Sequence, residues 1–271
     1  MVIVDTHVHT SLYWFEPIEI ILCQMNRNRV DKATLVQFLG QTDNRYIIES
    51  AHRFPGRFYP VVSVDTDRTD APDTLKQLAK EGARSVRLRV TTRSPGNDPL
   101  AIWRTCAELS LPVSCGGNEE DFASDEFLKL IKSLPHVAVI IEHLGHGQHG
   151  QHKDRSQQDE LPPYTTYRKL LALADCPNTY IKVGGLGEIC KRPFPFRQPF
   201  YSVGGVPPFI QMAYEAFGPS RMMWGSDYPL CSYREGYSNT LHYLREYLTS
   251  FCSEGDKEWI FGKTALSLFD S

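Results

Sequence analysis

Three short stretches of this chain carry the side chains best suited to chemistry. The first is Asp5-Thr6-His7-Val8-His9, at the end of the apolar run Val2-Ile3-Val4. Side chains alternate along a strand, so Ile3, Asp5, His7 and His9 are expected on one face. Two imidazoles leaving a strand together suit a divalent cation such as zinc. An ordinary polar loop has the same spacing. The second stretch, Val137-Ala138-Val139-Ile140-Ile141-Glu142-His143, is an apolar run that ends in histidine. Its alternation groups Val139, Ile141 and His143. The third, Trp224-Gly225-Ser226-Asp227-Tyr228-Pro229, puts a carboxylate just beyond another apolar segment. A carboxylate there can bind a metal or take a proton from water. Taken singly, His143 also reads as a core or helix-capping histidine, and Asp227 as an Asx turn before Pro229. His7, His9, His143 and Asp227 at three separate strand ends point to one site.

Short apolar runs alternate with helical patterns along the whole chain. Strands are expected near 2–5, 33–36, 58–64, 85–89, 112–115, 137–142, 179–183 and 221–225. Several are nearly continuous apolar runs, the pattern of strands buried on both faces of a parallel sheet. Helices are expected near 16–28, 44–54, 71–81, 98–109, 124–133, 164–175, 206–217 and 236–250, with a last one over 255–269. Asp73 and Asp98, with Pro72 and Pro99 beside them, mark helix starts, and Gly82 marks a helix end. Eight strands alternating with helices predict an α/β fold, a closed (β/α)₈ barrel of a single domain over 1–271. Catalytic groups of such barrels lie where the strands end. The long connections 144–163 and 184–204 both follow strands, so both belong on that face.

The composition narrows the class. A chain of 271 residues is long enough for one such barrel, and a net charge of −3 gives no reason to expect a nucleic-acid or membrane partner. The longest apolar runs are too short to cross a bilayer. The N-terminus reads as a strand without the basic stretch or cleavage pattern of a signal peptide. Seven dispersed cysteines with no CxxC pair fit free thiols in the cytoplasm.

DTHVH at 5–9, IIEHLG at 140–145 and MMWGSDYPL at 222–230 resemble the amidohydrolase superfamily. The closest resemblance is to the amidohydrolase-related branch of 2-pyrone-4,6-dicarboxylate and sugar lactonases and metal-dependent decarboxylases. The likeness runs through nearly the whole chain. It implies a metal-dependent hydrolase in which His7, His9, His143 and Asp227 hold a divalent ion, zinc first. Asp227 and His143 would be catalytic. Many metal-bound relatives carry another histidine at the end of the fifth strand. Here that strand reads Leu111-Pro112-Val113-Ser114-Cys115-Gly116-Gly117. Cys115 stands in the place, as a thiolate ligand or a small buried thiol, and metal-independent catalysis stays open.

Basic residues complete the expected site. In Ser85-Val86-Arg87-Leu88-Arg89, alternation turns Arg87 and Arg89 inward. There they can hold a substrate carboxylate or form an internal ion pair, for example with Asp5 or Asp65. Lys182 has the same parity in the seventh strand, where it can orient substrate or neutralise the acidic interior, and His146 follows His143 closely enough to reach substrate or metal. Tyr13-Trp14-Phe15 can wall the pocket. The expected reaction is hydrolysis of a lactone, or of a related C–O or C–N bond, in an anionic small molecule, with water activated by Asp227. The alternatives are a metal-dependent non-oxidative decarboxylase and a silent barrel that binds a carboxylate ligand. A homodimer is the expected assembly.

Overall fold

The computed structural model describes residues 1–145, 162–190 and 205–270. Eight strands form one sheet: β1 Val4–Val8, β2 Lys32–Val36, β3 Phe58–Val62, β4 Ser85–Arg89, β5 Val113–Gly116, β6 Val139–Ile141, β7 Thr179–Val183 and β8 Met222–Trp224. Neighbours pair in parallel in strict chain order from β1 to β8. The ring closes just beyond β8, where Tyr228 bridges Val8. His9 N–H donates to the Tyr228 carbonyl at 2.8 Å, and Asp227 N–H donates to the His7 carbonyl at 2.8 Å. A (β/α)₈ barrel results, as the alternation of apolar runs and helical patterns predicts.

Helices Ile18–Asn28, Arg45–Arg53, Ala71–Glu81, Ala101–Glu108, Asp125–Ser133, Thr165–Leu171, Phe209–Phe217 and Tyr237–Leu248 follow the eight strands in turn. Their buried faces and the outward sides of the strands make the main apolar core. Gly82 ends its helix at φ 114°, a conformation that costs glycine little. The last helix is interrupted: Glu254–Glu258 starts from a capping box of Ser253 and Asp256, then a π turn at Trp259–Lys263 leads into Thr264–Phe269. Among the described residues no helix is long and apolar enough to cross a membrane.

The barrel interior is layered. Val4, Tyr59, Ile140 and Met223 form an apolar floor, closed by Ala265 and Phe269 of the last helix. Phe269 stacks on Tyr59 with ring centroids 5.5 Å apart. Asp270 accepts from Tyr59 and from Lys32 Nζ, so the C-terminal helix is pinned under the strand starts. Above this floor the inward side chains become charged: Arg87, Glu142 and Lys182 are all buried there. Truncating the plug should cost stability and spare the mouth. Phe269→Ala is expected to destabilise by about 3–5 kcal/mol in urea denaturation, with kcat of the folded protein unchanged.

Candidate active site

Strand β1 does not keep a simple alternation. Its register with β2 slips between Asp5 and Val8, a one-residue bulge. Bulges re-aim side chains next to active sites. Ile3 therefore packs into the outer core and Val4 onto the barrel floor. The Asp5 carboxylate turns to the β8 end, accepting from Ser226 N–H at 2.8 Å. Only after the slip do His7 and His9 reach the mouth, so the shared face expected for Ile3, Asp5, His7 and His9 breaks at the bulge. Gly225 lets the β8 end approach: a Cβ there would lie 2.8 Å from His7 Cβ.

Strand β6 carries a second correction. Ile140 lies on the barrel floor and Val139 and Ile141 in the outer core. Glu142, not His143, therefore has the inward parity. His143 reaches the mouth because the strand ends at Ile141 and the chain turns through left-handed conformations at His143 (φ 50°) and Leu144 (φ 54°). Asp227 is likewise at φ 57°.

The turned residues converge. The His7 ring lies 4.9 Å from that of His9 and 4.6 Å from that of His143. His9 Nδ1–H donates to the Val36 carbonyl at 2.8 Å, which leaves Nε2 with its lone pair. That Nε2 faces Asp227 Oδ1 at 3.5 Å, and His7 Nε2 faces the same oxygen at 3.9 Å. His7 Nε2 and Asp227 Oδ1 are buried and have no hydrogen-bond partner among the described residues. Lone pairs this close repel unless a proton or a cation stands between them. The donor set of two imidazole nitrogens and a carboxylate oxygen fits a divalent ion. His143 with Glu188 and Asp227, and His7 with Glu142 and His143, make two further groupings of the same kind.

Charged residues below and beside these groups hold them in place. Arg87 donates to both oxygens of Glu142 at 2.8–3.2 Å and to the Gln37 carbonyl at 3.1 Å. Ser114 Oγ donates to Glu142 at 2.6 Å and accepts from Lys182 Nζ at 2.9 Å. Lys182 Nζ also lies 3.3 Å from His7 Nδ1. On the other side Arg234 donates to Asp227 Oδ2 at 2.9 Å and to Glu188 at 3.4 Å. His143 Nδ1 donates to Glu188 at 3.0 Å.

This arrangement sets the protonation states. Burial alone would raise the Glu142 carboxyl, but Arg87 and Lys182 outweigh it and hold it at about 2. Burial pulls the Lys182 ammonium down to about 8 against the attraction of Glu142. His7 is pushed well below the usual imidazole value, first by burial and then by Lys182. His143 moves the other way, because Glu188 and Asp227 overcome its burial. Asp227 is buried too, yet Arg234 and the imidazoles hold it far below the ordinary carboxylate range. Asp5, walled in beside β8, rises by burial to about 6.

The structure thus brings together His7, His9, His143, Asp227 and Lys182. Arg87 sits below them as half of an ion pair, with Glu142 rather than Asp5 or Asp65 as its partner, so its fork is already filled. Arg89 is exposed at the end of β4. His146 lies outside the described residues. Cys115 faces the outer apolar core, and burial pushes its thiol well above the ordinary value. Neighbouring Ser114 holds the inward place on β5. Glu142, Glu188, Arg234 and Ser114 are the additions to the expected site. An acid closing the buried run 137–142 is a signal for Glu142. No spacing marks Glu188 or Arg234.

The family model described as amidohydrolase matches residues 4–270. This chain belongs to the amidohydrolase family. Within curated proteins the hydrolase is similar to the L-fucono-1,5-lactonase of Burkholderia ambifaria, at 24% identity over 258 residues, which cover 90% of this chain and 81% of the relative. Its fold is shared with an amidohydrolase from Burkholderia multivorans solved with bound zinc (TM-score 0.78, 17% identity, 100% and 99% of the two chains). It is shared too with a probable 2-pyrone-4,6-dicarboxylic acid hydrolase from Acinetobacter baumannii solved with citric acid (TM-score 0.73, 17% identity, 100% of both chains).

Two measurements check this geometry. Arg234→Gln strands two buried carboxylates, so the amidohydrolase should lose about 3–5 kcal/mol of stability in chemical denaturation. In native protein a thiol reagent should label exposed Cys23 quickly, with Cys115 protected until the chain unfolds. Fast labelling of Cys115 would contradict its place in the outer core.

Proposed function

We propose that this amidohydrolase opens a lactone, a cyclic ester, with water activated at Asp227. The observation that carries this reading is the buried Asp227 Oδ1, without a hydrogen-bond partner among the described residues, beside His7 Nε2 and His9 Nε2. Arg234 occupies the other carboxylate oxygen, so Oδ1 has one fixed direction in which to accept a proton. The depressed pKa keeps Asp227 ionised and also makes it a weak base. Its water must therefore be acidified by what surrounds it. His7 Nε2, His9 Nε2 and Asp227 Oδ1 would hold a divalent ion, zinc by donor preference, which would polarise the carbonyl and lower the pKa of water. The names of the relatives, a sugar lactonase and a pyrone dicarboxylate hydrolase, support a cyclic ester as the substrate.

The remaining steps fall to the chain's own residues. Water attacks the lactone carbonyl as Asp227 takes its proton. His143, held by Glu188 and raised towards the imidazolium, donates a hydrogen bond to the developing oxyanion. The ring C–O bond then breaks, and Asp227 returns its proton to the leaving oxygen to give the open hydroxy acid. Arg89, exposed at the mouth, is the described arginine best placed for a substrate carboxylate, since Arg87 is bound to Glu142. The free state of all seven cysteines supports a reducing, cytoplasmic setting.

Asp227→Asn should retain the fold by circular dichroism and lose at least about 10²-fold in kcat on any lactone that the parent opens. Metal content measured after gentle purification, with activity before and after a chelator, decides whether the ion is needed. Normal turnover by a folded Asp227→Asn protein would end this mechanism. Carbon dioxide released from an aromatic acid, with no lactone opened, would replace the reading by the decarboxylase.

A further inference from the structure

The aromatic stretch after β1 takes no part in the chemistry above, yet it reaches the same histidine. Phe15 stacks on the His9 ring, with centroids 5.4 Å apart and planes 20° from parallel. Phe38, from the loop after β2, meets His9 edge-on at 5.8 Å and Phe15 at 5.5 Å. Trp14 lies 6.1 Å from Phe38. A cleft of about 130 Å³ opens among these rings and ends at His9.

The polar groups of the cleft are largely spoken for by the protein itself. Thr10 Oγ1 donates to the Glu16 carbonyl. Gln37 donates to the Asp43 carbonyl and accepts from Phe38 N–H. Tyr46 OH accepts from Ile18 N–H, and the Asp43 carboxylate is paired with Arg45. A ligand entering here meets mostly ring faces. An apolar cavity of about 150 Å³ is known to hold benzene, so this space suits a group of about one ring. At its rim Tyr13 is 91% exposed and Trp14 64% exposed.

We propose that the cleft between the loops after β1 and β2 is a specificity subsite for an uncharged, apolar substituent of about one ring, carried by the substrate next to its reacting bond. The proposal rests on the lactonase reading only for what that bond is. A charged group would find no free counter-ion among the described residues of the cleft and would lose its hydration against ring faces.

The test uses Asp227→Asn protein, which binds without turnover, and two δ-lactones that differ only in a phenyl or a methyl substituent. Calorimetry should give about ten-fold tighter binding of the phenyl lactone, a difference within reach of one buried ring. Adding Trp14→Ala should bring the two affinities within about two-fold of each other, whereas Trp259→Ala, removing a different exposed aromatic, should keep the preference. Equal affinities, no measurable binding of the phenyl lactone, or a preference untouched by Trp14→Ala would overturn the subsite. Turnover of the same pair by the parent enzyme judges the chemistry separately. Ring preference in binding without hydrolysis keeps the subsite and removes the lactonase reading, and hydrolysis without ring preference does the reverse.

Discussion

The site depends on charge pairing among ions that the barrel buries. Above the apolar floor, the carboxylates of Glu142, Asp227 and Glu188 face the cations of Arg87, Lys182 and Arg234. Each ion would be costly there alone, because burial removes its hydration before any partner repays it. Pairing makes the layer tolerable, and the pairs also aim the reactive groups. Arg234 fixes which Asp227 oxygen is free. Glu188 fixes which His143 nitrogen is free. Burial, and then the cation of Lys182, keep the His7 imidazole neutral, so one ring nitrogen keeps a lone pair available to a proton or an ion.

The backbone at the strand ends is shaped to the same purpose. His143, Leu144 and Asp227 sit at left-handed φ values that non-glycine residues seldom adopt. Such conformations cost of order 1–3 kcal/mol each and persist where the surroundings impose them. The hydrogen bonds from Asp227 N–H to His7 and from His9 N–H to Tyr228 supply part of that imposition, since they stitch β1 to the β8 end. The β1 bulge lies opposite that seam. Strain and closure thus coincide at the point where the two halves of the ligand set meet.

The fold was largely legible because its signal is redundant: eight apolar runs at barrel spacing survive errors of a few residues at their ends. The site was legible at residue types and less so at directions. His7, His9, His143 and Asp227 stand out by chemistry. Strict alternation, however, would place Asp5 beside His7 and would aim His143 instead of Glu142 inward. A bulge and two left-handed residues cancel that arithmetic; Gly145, itself at φ 78°, marks the turn after β6, but no glycine or proline marks the bulge within β1. Arg234 and Glu188 are hidden for another reason. Arg234 meets Asp227, seven positions earlier, only because the chain turns back between them, and Glu188 meets His143 and Arg234 across 45 and 46 positions, which only the closed barrel brings together.

The fifth strand shows how the missing histidine changes what the site can be. Its inward place belongs to Ser114, whose hydroxyl is held by Glu142 and Lys182 and which offers no imidazole or carboxylate to an ion. A cation between His7, His9 and Asp227 would then have three protein donors from β1 and the β8 end. A structural ion prefers a closed shell, whereas a catalytic one needs a position open to water or substrate. The same economy governs the alternative without metal. If Lys182 donates to His7 Nδ1, the His7 proton moves to Nε2 and points at Asp227, so the pair becomes a proton path instead of a ligand set. One lysine contact on β7 therefore separates the two modes, and both converge on the same oxygen of Asp227.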